Sequence, residues 1–99
     1  MISEHITVST SACAKVYRFL SEEVGPPERV DHFRPREMFA EFGPVTVVTQ
    51  APDTIDPDDA VLSVYLHDET DHAKLLYDRL LLKIRHYGGI EADVLDPFN

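Results

Sequence analysis

The stretch from Ala60 to Gly89, AVLSVYLHDETDHAKLLYDRLLLKIRHYGG, constrains the fold more than any other part of the chain. Leu62, Val64 and Leu66 alternate with Val61, Ser63, Tyr65 and His67, so a strand with one apolar and one mixed face is expected. A helix must begin almost at once. Asp68 or Thr70 can cap it, and Glu69 and Asp71 place negative charge near its positive end. Ala73, Leu76, Tyr77, Leu80, Ile84 and Tyr87 then recur at helical spacing, widened by Leu81, and Gly88-Gly89 supplies the stop. A strand running so directly into an amphipathic helix requires the helix to fold back over the sheet. Two leucines stand outside this stripe. At 100° per residue Leu75 and Leu82 point away from its centre, either as isolated exposed side chains or as an interface in a homodimer.

The N-terminal region repeats the pattern. Ile2, Ile6 and Val8 alternate with Ser3, His5 and Thr7, and Ser9, Thr10 and Ser11 offer caps for a helix whose stripe is Cys13, Val16, Tyr17, Leu20 and Val24. Gly25 and Pro26-Pro27 end it. Residues 26 to 37 read as a loop with a short edge strand at Arg29–Phe33 as an option. Met38, Ala40 and Phe42 alternate with polar neighbours before Gly43-Pro44, and Val45–Gln50 is rich in β-formers, giving a hairpin or one bent strand. Ile90, Ala92 and Val94 mark a last strand. The expectation is a single α+β domain over 1–99, with two helices on one face of a mostly antiparallel sheet of βαββαβ type. It is closed either as a ferredoxin-like sheet with an added hairpin strand or as a shortened module.

Charge narrows the partners. The formal net charge is −9, from 18 acidic and 9 basic residues, which disfavours nucleic acid and anionic membranes. Such a surface serves solubility, or it docks on a basic protein partner. The lone Cys13 excludes an intramolecular disulfide and a cysteine-built metal site. With no apolar run long enough to span a bilayer and no basic leader followed by one, a cytoplasmic location follows by default.

No glycine-rich phosphate loop, GxSxG elbow or HExxH helix occurs, so no catalytic residue, metal site or cofactor is assigned. Asp53, Asp56, Asp58 and Asp59 lack the turn glycine and terminal Glu of a calcium loop. Arg29, His32, Arg34 and Arg36 form a basic cluster, read either as a solvated loop or as an anion-binding edge. The best pocket candidate is the sheet face away from the helices. There His5, Thr7, Ser63, Tyr65 and His67, with Ser3, would form a mixed polar and aromatic surface. The alternative use of that face is burial in a dimer.

Four segments carry a family resemblance: EHITVSTSACAKVYRFLSEEVG, FAEFGPVTVVTQAP, LSVYLHDETDHAKLLYDRL and ADVLDPFN. They resemble successive strand and helix units of the vicinal oxygen chelate superfamily, which includes glyoxalases and bleomycin-resistance proteins. Metal enzymes of that family take a His or Gln and a Glu from each half. His5 falls on the first ligand position, but Val47 or Val48 stands where a Glu is expected, Val61 where the next His is expected, and the chain ends before the last Glu. The resemblance therefore implies the non-metal, ligand-binding branch or a shortened relative. The function expected is a homodimeric small-molecule-binding domain for a partly aromatic or cationic ligand. Its rivals are an acidic inhibitor, immunity or anti-defence factor and a cofactor-free or divergent glyoxalase-like isomerase or lyase.

Overall fold

The computed structural model describes residues 2–34, 37–51 and 55–91, the side chains of 32–34 and 90–91 excepted. In chain order the elements are β1 (Ile2–Ser9), α1 (Thr10–Val24), β2 (Arg29–Arg34), β3 (Glu37–Phe42), β4 (Val45–Gln50), β5 (Asp59–Leu66), α2 (Asp71–His86) and β6 (Ile90–Glu91). They form a sheet ordered β2-β3-β4-β5-β1-β6, and each neighbouring pair is antiparallel. The portion β6-β1-β5-β4 has the ferredoxin-like order, and β2-β3 is added as a hairpin beyond β4. The Gly43-Pro44 segment is a true hairpin turn, with Gly43 at φ 56°. The last segment expected to pair, beyond Glu91, lies outside the described residues.

Local chemistry sets the element ends. Ser9 is the N-cap of α1, its hydroxyl accepting from the Ala12 N–H, and Thr70 does the same for α2 with Ala73. Asp68 instead accepts from the Thr70 N–H and shapes the turn before the helix. Gly88, at φ 88°, ends α2 in a conformation that a side chain disfavours.

Both helices pack on one side of the sheet. Ala12, Cys13, Val16, Phe19 and Leu20 of α1 and Ala73, Leu76, Tyr77, Leu80 and Ile84 of α2 join one core with Ile6, Leu62, Val64 and Val47. Tyr77 also ties α2 to the sheet by donating its hydroxyl to the Val64 carbonyl at 3.0 Å. One expectation for α1 is corrected. Val24 lies in the last turn and is 39% exposed, while Phe19 is buried in its stead. Above the Phe19 ring, Arg79 of α2 forms a two-pronged pair with Glu23, so α1 and α2 are bridged where Val24 leaves the core.

Candidate functional site

The register brings the expected pocket residues onto one face. His5 stands opposite Ser63 on β1–β5, and Ser63 stands opposite Val48 on β4–β5. Tyr65 is flanked by Ser3 and Thr46. The face is not open at its middle. Ser63 is 0% and Tyr65 2% exposed, and Val48 and Val61 are buried beside them. Neighbouring side chains lie across one another: His5 Nδ1 and Ser63 Oγ share a 2.7 Å hydrogen bond, and His5 meets Tyr65 edge-on at 6.2 Å between ring centres. β5 is therefore buried along both faces, contrary to the mixed surface that its alternation suggests, with His5 lying across Ser63 and Tyr65. His5 and Thr7 are half-buried, and His67 is exposed with its Nε2 paired to the Thr46 hydroxyl.

The positions singled out by the family resemblance follow the same register. His5, Val48 and Val61 share this face, whereas Val47 belongs to the helix-side core. Among the described residues no group of three or more His, Cys, Asp or Glu is placed to hold a metal ion. Of the basic cluster, Arg29 is ion-paired with Asp31 at 2.9 Å and lies over the Phe39 ring. Arg36 and the side chains of His32 and Arg34 lie outside the described residues, as does Asp53. Asp56 is occupied in its own turn, accepting from the Asp58 N–H.

A better-formed recess lies on the helix side, at the outer flank of α1. Thr10, Cys13, Ala14 and Tyr17 recur at helical spacing along that flank and face Met38 of β3, Thr49 of β4 and Ala60 of β5. They enclose a mainly carbon-lined cleft of about 330 Å³ with Glu37 at its rim. Its origin is plain in the residue sizes. The β2-β3 hairpin widens the sheet past the helix layer, and Ala14, Cys13, Thr49 and Ala60 are too small to fill the resulting angle. The sequence carried this signal as a run of small residues on one helix flank, which periodicity alone does not distinguish from core.

The polar chemistry of the cleft is sparse. Tyr17 Oη and Thr49 Oγ1 are hydrogen-bonded to each other across it. One hydroxyl proton joins the two oxygens, so the second proton remains to be donated. Burial pushes the Tyr17 phenol up to about 12, against a partly compensating hydrogen bond from Thr49, so it is a neutral donor at physiological pH. Burial likewise raises the Cys13 thiol to about 11, which leaves it protonated and a poor nucleophile. The cleft is thus equipped to bind and not to attack.

No family model, curated protein or solved structure matches the chain.

Proposed function

We propose that the protein is a small-molecule-binding domain whose ligand occupies the cleft between α1 and the β3-β4 hairpin. The ligand is compact and largely apolar, a ring or short branched chain bearing one hydrogen-bond acceptor such as a carbonyl or ether oxygen. The observation that carries this reading is the cleft itself. Its volume of about 330 Å³ lies at the lower end of the range for small-molecule sites, and its apolar walls converge on one hydroxyl pair. The acceptor takes the unspent proton of the Tyr17–Thr49 pair, and Cys13, Ala14, Met38 and Ala60 supply apolar contact to the rest of the ligand. The expected resemblance implies a ligand-binding domain as well, whereas the alternation of β1 and β5 favours the opposite sheet face as the site.

The test is a thermal-shift screen of small aromatic and aliphatic carbonyl compounds against the wild type and Ala14→Phe. Ala14 is exposed at the rim, so the substitution should leave stability within about 0.5 kcal/mol while its ring blocks the cleft. Compounds that raise the melting temperature of the wild type and lose that effect in Ala14→Phe support the proposal. Hits that stabilise both proteins equally place the ligand elsewhere and reject it.

A further inference from the structure

The outer face of α2 has the makings of a self-docking surface. Leu75 and Leu82 are 60% and 64% exposed, more than any other large apolar side chain described. On a helix they lie within about 20° of each other and about 10.5 Å apart along the axis. Leu75 also borders a groove of about 340 Å³ between the end of α1 and α2, lined by Val24, Pro44 and Leu76, so the stripe offers a recess as well as a ridge.

Charge around the stripe points to what covers it. The chain carries −9 overall, yet α2 holds Lys74, Arg79, Lys83 and Arg85 against Asp71 and Asp78 alone. The flank that borders the leucines, Asp71, Lys74, Asp78 and Arg85, sums to zero charge, so two copies of an acidic protein can meet there without net repulsion. One flank of the leucine stripe presents Asp71, Lys74, Asp78 and Arg85 in that order, all exposed, and no ion pair joins them to other described residues. Arg79, on the other flank, is already held by Glu23 at 2.7 Å.

We propose that two copies of the chain pair through α2, antiparallel about a two-fold axis near Asp78 and Arg79. Reversal about that point sets Leu75 of each copy against Leu82 of the other. The same operation brings Asp71 of each copy beside Arg85 of the other, a contact that occurs twice. The two Asp78 side chains approach near the axis, and the two Lys74 ammonium groups flank them there. The seam stands independently of the ligand cleft, which lies on the flank of α1.

A single helix face buries little area, and interfaces below about 1,200 Å² belong to the weak, reversible class. Sedimentation equilibrium from about 10 µM to about 1 mM therefore brackets the association. The wild-type mass should rise with concentration from 11.2 kDa toward twice that value. Leu82→Glu should remain monomeric throughout, its fold checked by circular dichroism. Asp71→Arg and Arg85→Asp should each weaken association by about tenfold or more, and the two together should restore it, because each copy then offers the reversed pair. A wild type that stays monomeric, including one that binds only a heterologous partner, overturns the proposal. So does a dimer indifferent to Leu82→Glu, or a charge exchange that fails to rescue.

Discussion

Beneath α2 and beneath the outer flank of α1, one sheet meets two helices in opposite ways. Leu80 and Ile84 of α2 are fully buried, and the chain leaving that helix runs so close to β1 that a Cβ on Gly89 would meet Ile6 at 2.7 Å and the Ile84 carbonyl at 2.8 Å. The outer flank of α1 instead faces Thr49 and Ala60 across a cleft of about 330 Å³. Interiors are ordinarily packed to crystal-like density, so a gap next to a well-filled core reports a choice of small side chains at particular positions. The α2 side holds the fold together, while the α1 flank leaves room for something else.

That contrast is open to direct attack. The largest effect belongs to the filled side: Leu80→Ala should cost about 2–5 kcal/mol, measured by urea unfolding. A loss near zero would show that α2 is not the anchor of the core. Gly89→Ala should also destabilise, since the new methyl meets backbone and two isoleucine methyls, and the melting temperature reads this directly. Next comes Tyr77→Phe, which removes the hydroxyl donated to the Val64 carbonyl and should cost about 1 kcal/mol. On the open side, Thr49→Val should change stability least and weaken the response to a carbonyl ligand without abolishing it, because Tyr17 keeps its proton but loses the partner that orients it.

Alkaline pH sharpens the same comparison. Cys13 and Tyr17 have folded-state values of about 11 and about 12, above their ordinary 9.0 and 10.0, so the native state favours their neutral forms. Their contribution is complete below pH 9 and is lost as pH rises from about 9 through 11 for the thiol and from about 10 through 12 for the phenol. The melting temperature should therefore fall progressively above pH 9, and Cys13→Ala should delay the onset by about one unit. An onset unchanged by Cys13→Ala would assign the alkaline loss to other groups.

Much of the scaffold was readable from residue order because it rests on short-range rules. The α2 stripe, the Thr70 cap among its alternatives, the Gly88 stop and the Gly43-Pro44 hairpin all follow from periodicity and turn chemistry. The optional edge strand before Pro35 is present as β2. Features set by position in the sheet were not readable. Ser63 and Tyr65 alternate as outward residues do, but His5 from the neighbouring strand lies across them, so the expected ligand surface is closed at its centre. Val24 fits the α1 stripe by angle, yet the helix extends past the core before reaching it. The cleft depends on three strands and a helix flank meeting at Thr49, Ala60 and Ala14, and no local pattern encodes that meeting.

The central claim is that the unfilled flank of α1 is a ligand site. It is tested most directly by methyl-resolved NMR titration with a hit from the carbonyl-compound screen. The account predicts concentration-dependent shifts confined to the methyls of Ala14, Met38, Thr49 and Ala60, with Leu80 and Ile84 unmoved. Shifts centred on Thr7 and Val61 at the opposite sheet face, with the cleft methyls silent, would contradict it.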